Sequence, residues 1–272
     1  MSALRSSPAA ARLAVPVDDY PAFCAGVQRL CGVDLAQYKR GQMERRIRSF
    51  AQRRGVEDLP TYLASLQRDR GELDEFLDRV TINVSQLWRN PEQWTALQRD
   101  VIPELARGGR LRAWSAGCSY GAEAYTLAAT FAEAAPGVRA QIAGTDIDRR
   151  MVARAREGHF SAEDARTAPK AALQRWFERD GDGWSAGPEI RRSVRFETGD
   201  LLRMRFPREA FDLVLCRNTV IYFTEEVRNE LHARLVGALR PGGYLVIGST
   251  ERVAEPRALG LESTRPFTYR KA

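Results

Sequence analysis

The feature that most limits the fold of this chain is a change in the spacing of its apolar residues at Gly108-Gly109. Before that point Phe23, Val27 and Leu30, then Met43, Ile47 and Phe50, then Leu73, Phe76, Leu77 and Val80, then Trp94, Leu97 and Val101 recur at the three-to-four spacing of a buried helical stripe. After it, short apolar runs at 111–115, 140–145, 211–216 and 244–248 alternate with amphipathic stretches at 122–134, 148–157 and 224–239. The first part is expected to be all helix. The second is expected to be α/β, a mostly parallel, doubly wound sheet covered on both faces that takes its ligand beyond the carboxyl ends of its strands. Residues 176–198 place glycine turns between β-prone runs and predict a small antiparallel β insertion. The expected divisions are a disordered lead at 1–16, a helical domain at 17–90, a linker helix at 91–109 and the α/β domain at 110–272. Within the helical part, Arg53-Arg54-Gly55 and Arg70-Gly71 read as helix ends, and Asp58-Leu59-Pro60 as a helix start.

Composition removes several function classes. No run approaches the roughly 20 apolar residues of a bilayer span, and the opening residues lack a basic-then-apolar signal pattern, so a cytoplasmic protein is expected. Cys24, Cys31, Cys118 and Cys216 form no C-x-x-C pair, and two histidines, His159 and His232, leave little for a metal centre or a Ser-His triad. No metal is expected, and both histidines are read as surface or packing residues. The net charge of +7 calls for an acidic partner, whether nucleic acid, a membrane surface or an acidic protein face, and charge alone does not choose among them.

Chemistry should therefore sit at the strand ends. Residues 114–123 leave the first strand through Gly117 and Gly121, which permit a tight turn and close approach of a ligand to main-chain amides. The spacing is not G-x-G-x-x-G. About thirty residues on, Asp146 ends the next strand where an α/β nucleotide site places a carboxylate for ribose hydroxyls, and Asp148 reads as a helix cap. A ribose-bearing ligand is indicated, with S-adenosylmethionine and a nicotinamide dinucleotide both open at this point. Asp200-Leu201 and Cys216-Arg217-Asn218, with Tyr222 after them, can reach the same crevice. In the helical part Asn83, Ser85 and Arg89 lie close together before Pro91, as a capping segment or as a lid bringing a fixed positive charge. Lys39, Arg40, Arg45, Arg46, Arg48, Arg53 and Arg54 stand against the single acid Glu44, and the stripe of Met43, Ile47 and Phe50 turns them outward as a cationic surface.

With these segments in view the chain resembles the CheR family, S-adenosylmethionine-dependent methyltransferases that esterify glutamates of chemotaxis receptors. The resemblance rests on TINVSQLWRNPEQW, WSAGCSYGAEAYTLA, GTDID, FDLVLCRNTVIYF and LRPGGYLVIGSTE, in family order and spacing over nearly the whole chain. It implies a Rossmann-like class I methyltransferase domain with a small N-terminal all-helical domain. It further implies that Asn83, Ser85, Arg89, Gly117, Glu123, Asp146, Asp200, Leu201, Arg217 and Asn218 bind S-adenosyl-L-methionine or its product S-adenosyl-L-homocysteine, and that Arg89 and Tyr222 face the methyl-transfer site. The basic face from Lys39 to Arg54 would contact an acidic helical region of a receptor. The β insertion resembles the subdomain that grips a receptor tail in some members. A monomer reaching the membrane only through its receptor is expected, with no nucleic acid bound. The chain departs from the family's usual residues at Leu87-Trp88, where two phenylalanines are common, and at Tyr120 and Ala122 in the cofactor turn. Those two substitutions motivate an alternative, a cofactor-binding sensor or scaffold without full catalysis. A nucleic-acid methyltransferase lacks its Asn/Asp-Pro-Pro-Tyr/Phe segment here, and a nicotinamide oxidoreductase lacks its glycine fingerprint.

Overall fold

A computed structural model describes residues 18–80 and 85–272, so the expected lead at 1–16 and the candidate Asn83 lie outside the described residues. Four helices form the N-terminal part: α1 (Tyr20–Cys31), α2 (Arg40–Arg53), α3 (Leu59–Arg68) and α4 (Arg70–Val80). Their stripes close on Phe23, Val27, Ile47, Tyr62, Leu66 and Phe76, all essentially buried. Asp58 caps α3 by accepting from the Thr61 amide at 2.7 Å, as its position before Leu59-Pro60 requires. Arg70-Gly71, in contrast, opens a helix. Asp69 accepts from the Gly71 and Glu72 amides at 2.8 and 3.2 Å, and this cap overrides the stop expected of the glycine.

Residues 91–106 are helical as α5 (Pro91–Ala96), a π turn (Leu97–Val101) and α6 (Ile102–Ala106). Pro103 has no amide to give to Arg99, and the wider π turn absorbs the missing bond. Trp94, Leu97, Val101, Ile102 and Leu105 of this segment are buried in the α/β core, so it is part of that unit.

The α/β part runs β1 (Arg110–Ala116), α7 (Ala122–Ala134), β2 (Arg139–Asp146), α8 (Arg149–Glu157), β3 (His159–Phe160), α9 (Lys170–Trp176), β4 (Phe177–Asp180), β5 (Gly183–Ala186), α10 (Pro188–Ser193), β6 (Val194–Thr198), β7 (Phe211–Cys216), α11 (Glu225–Ala238), β8 (Leu239–Ile247), β9 (Leu261–Arg265) and β10 (Thr268–Lys271). The main sheet has the order β6-β2-β1-β7-β8-β10-β9, parallel from β6 to β8 and closed by the antiparallel β10 and β9. The two-residue alternation of each strand splits its side chains between two cores: Leu111, Ala113, Leu213 and Leu215 face α7 and residues 91–106, whereas Trp114, Ala116, Val214 and Cys216 face α11.

The excursion expected at 176–198 divides differently. β3, β5 and β4 make the small antiparallel sheet, with Gly181 at φ +60° turning the β4-β5 hairpin. Residues 194–198 instead join the main sheet as β6, because α10 carries the chain back across so that Val194 pairs in parallel with Ile142. The chain thus proceeds from β1 outward through β2 to β6 and returns to β7 on the other side of β1. This reversal opens a crevice beyond the carboxyl ends of β1 and β7.

Candidate active site

One cleft lies at that reversal. Ser85, Arg89, Gly117, Glu123, Asp146, Asp200, Leu201, Arg217, Asn218 and Tyr222 all line it, together with Tyr38, Val80, Gln86, Ser119, Ile147, Gly199, Leu202, Thr219 and Phe223. Four strand ends build it. β1 and β2 are tied where they exit, the amides of Gly117 and Cys118 both donating to the Thr145 carbonyl at 2.8 and 3.0 Å. Gly117 has φ +84°, and a Cβ there would overlap the Thr219 side chain that follows β7. A glycine is therefore required for the two exits to come together.

Asp146 sits at the centre, buried at 8% exposure. Its Oδ2 accepts from the Ser119 amide at 2.7 Å and its Oδ1 from the Asp148 amide at 3.0 Å. Burial pushes its carboxyl up to about 6, against those amide bonds, which favour the charged form. Each oxygen retains lone-pair capacity for a donor in the cleft. Asp148 accepts from the Arg150 and Met151 amides and caps α8. Asp200 turns the chain after β6, its Oδ1 accepting from the Leu202 amide at 2.8 Å.

Arg217 has a different task from presenting its guanidinium to a ligand. Nη1 donates to Glu123 Oε2 at 3.1 Å, Nε to Gln93 Oε1 at 2.9 Å, and Nη2 to the Arg89 carbonyl at 2.7 Å and Asn90 Oδ1 at 3.2 Å. Its side chain is 3% exposed. It pins the Arg89 segment to the end of β7 and balances the charge of Glu123, whose Oε1 accepts from Ser115 Oγ at 2.7 Å. Gln93 and Asn90, neither singled out in the sequence, belong to this network; their only signal was adjacency to Pro91. Glu251 is a further omission: this buried acid accepts from the Gly248 amide at 2.5 Å and lies against the Asn218 turn, which takes φ +57°.

The residues that depart from the family pattern face away from the cleft. Ala122 is fully buried, and Tyr120 packs into the same core with its hydroxyl between two acceptors, Asp164 Oδ1 at 2.8 Å and the Ser85 carbonyl. Leu87 and Trp88 are likewise core residues, Trp88 meeting Phe177 edge-on at 6.0 Å. None of the four lines the cleft. His232 is buried among apolar side chains and held neutral, its pKa pushed down to about 4, and His159 is exposed beside Asp180. Neither lines the cleft. The four cysteines are unpaired, and no metal-ligating cluster occurs among the described residues.

The basic residues of the α2 region do not form one uniform face. Arg40 pairs with Asp18 and Glu44, Arg48 with Asp19 and Glu44, and Arg54 with Glu75 and Glu72. Acids from outside the basic run, invisible to a count within it, neutralise much of its charge; Arg53 stacks on Phe50. Lys39, Arg45 and Arg46, with Gln42, Met43 and Ser49, line a groove that ends at Tyr222. Tyr222 thus has one side in the groove and one in the cleft. Burial pushes its phenol upward, while the guanidinium charges of Arg46 and Arg89 pull it down.

The cleft suits an adenosyl sulfonium. It offers a buried carboxylate in Asp146, apolar walls in Ile147, Leu201, Leu202 and Phe223, and a second acid in Glu123.

Comparison with known proteins agrees. Residues 83–266 match the family described as "CheR methyltransferase, SAM binding domain", and residues 18–81 match "CheR methyltransferase, all-alpha domain". A chemotaxis protein methyltransferase of Listeria monocytogenes is 36% identical over 255 residues, covering 93% of this chain and 97% of its own length. Chemotaxis protein methyltransferase 1 of Pseudomonas aeruginosa is 34% identical, covering 86% and 89%, and a chemotaxis protein methyltransferase of Salmonella typhimurium is 30% identical, covering 88% and 85%. With both of its characteristic domains present in order and strand ends from four strands assembled around one cleft, the chain belongs to the CheR family of methyltransferases, whose cofactor is S-adenosylmethionine.

Proposed function

We propose that the chain transfers the methyl group of S-adenosylmethionine to glutamate side chains of chemotaxis receptors, giving methyl esters, and that it acts in the cytoplasm as a monomer on an acidic helical region of the receptor. The observation that carries this reading is the position of Tyr222, which lines both the cofactor cleft and a groove lined by Lys39, Arg45 and Arg46. The cationic groove supports the approach of an anionic side chain to Tyr222, which it shares with the cleft that holds Arg89. No helix among the described residues is long and apolar enough to cross a membrane, which accords with a receptor being met from outside the bilayer.

The bound cofactor supplies an electrophilic methyl group on a positively charged sulfur. Asp146 takes the ribose hydroxyls as acceptor, and Glu123, held by Arg217 and Ser115, faces the amino group. Arg89 orients the incoming carboxylate, and Tyr222 supports it with a hydroxyl that stays protonated. A glutamate, with an ordinary pKa of about 4.3, is already ionised at neutral pH and needs no general base. This matches a cleft without histidine. Catalysis is then positioning and partial desolvation, and fixing the two reactants in line can supply roughly 7 to 11 kcal/mol.

The test is incubation with a receptor signalling-domain fragment and methyl-labelled S-adenosylmethionine. Label released as methanol by mild base, and mapped by mass spectrometry to glutamates, is the expected outcome. Base-stable label would contradict the ester, and cofactor binding without transfer would favour the sensor reading.

A further inference from the structure

Tyr38 belongs to the helical domain by sequence, yet it lines the cofactor cleft and packs against both the helical core and the α11-side core of the α/β unit. Its neighbours hold it there by main-chain bonds across the domain boundary. The Lys39 amide donates to the Tyr222 carbonyl at 2.8 Å, the Thr224 amide donates to the Gln37 carbonyl at 3.0 Å, and Lys39 Nζ donates to the Ile221 carbonyl at 2.9 Å. Tyr38 and Phe223 form an isolated antiparallel bridge, their rings edge-on at 5.0 Å. The ring is thus placed by the protein's own hydrogen bonds. Burial keeps its phenol well above the ordinary range, and the Asp200 and Asp146 carboxylates push it the same way, so the hydroxyl is a donor at neutral pH.

We propose that Tyr38 is a cofactor-binding residue that closes the cleft from the helical domain, its hydroxyl donating to an acceptor on the adenosyl group. The inference rests on the reading of the cleft as the S-adenosylmethionine site and adds a contact from the other domain. Cofactor binding is then linked to the seating of the helical domain on the α/β unit, because the segment that carries Tyr38 also leads into α2.

The decisive variant is Tyr38→Phe, which keeps the ring and its packing and removes only the hydroxyl. Titration calorimetry with S-adenosylhomocysteine on the full chain is expected to show a Kd raised about 5-fold, the worth of one neutral hydrogen bond. The KM for S-adenosylmethionine rises in parallel, while kcat at saturating cofactor and the melting temperature without ligand stay at the wild-type values. Tyr38→Ala, which also removes the ring, is expected to weaken binding about 30-fold. A Phe variant that binds as the wild type does, or one that loses kcat or ligand-free stability with Kd unchanged, overturns the proposal and leaves Tyr38 as interdomain packing. Wild-type protein that fails to bind S-adenosylhomocysteine would instead defeat the reading of the cleft itself.

Discussion

Arg89→Ala is expected to lower kcat for methyl transfer by about 10²- to 10³-fold, the cost of removing one fixed charge aimed at the reacting groups. The fold should survive. The groups that anchor this segment are the Arg89 carbonyl, which accepts from Arg217 Nη2 and from Trp94 Nε1 at 2.9 Å, and both bonds remain when the side chain is cut back. What is lost is the guanidinium that acts on Tyr222 at the meeting of groove and cleft. The melting temperature should therefore stay within a few degrees of wild type, and the affinity for S-adenosylhomocysteine should fall much less than kcat. Lysine at this position keeps charge without the planar fork and should recover only part of the rate. Undiminished methylation by the alanine variant would remove Arg89 from the account.

Asp146→Asn is the second large effect. Two charge-assisted hydrogen bonds to ribose hydroxyls weaken at once, so Kd for S-adenosylhomocysteine should rise about 100-fold. The acid also gives the wild type a pH signature. Its carboxyl is held at about 6 in the ligand-free fold, above the ordinary aspartate value. The folded chain therefore holds this proton more tightly than the unfolded chain, and ionising the group lowers stability as pH rises from about 4 through 6. Cofactor needs the ionised form. Its Kd should be flat above pH 7 and rise toward tenfold per unit as pH drops below 6. Calorimetry across pH 5 to 8 checks this, and the Asn variant should lose the dependence. An Asn variant with wild-type affinity would exclude Asp146 from ribose binding.

Much of the cleft could be read before any coordinates, because strand ends announce themselves. An apolar run followed by a glycine or a polar pair marks the place where a parallel sheet binds ligands, and Gly117, Asp146, Asp200 and Asn218 were all found that way. Local sequence failed where the partner lay far along the chain. Arg217 lines the cleft as its position implies, but its bonds to Gln93, Glu123 and Asn90, which make its guanidinium a brace, could not be read locally. The charges of α2 look unopposed until Asp18, Asp19, Glu72 and Glu75 fold against them. Residues 194–198 have the look of another insertion strand, and only the α10 crossover sends them to the main sheet. Tyr38 gave no signal at all. It sits in a loop of the other domain and reaches the cleft through a bridge to Phe223, 185 positions away in sequence.

In the proposed reading, strand ends from both sides of β1, with Arg89 from the segment before α5, enclose one adenosyl cofactor. A crystal structure of the complex with S-adenosylhomocysteine tests it most directly. The ribose hydroxyls are expected on the Asp146 carboxylate and the sulfur on the side of the cleft that holds Arg89 and Tyr222. Ligand density outside this cleft, or a ribose bound without Asp146, would contradict it.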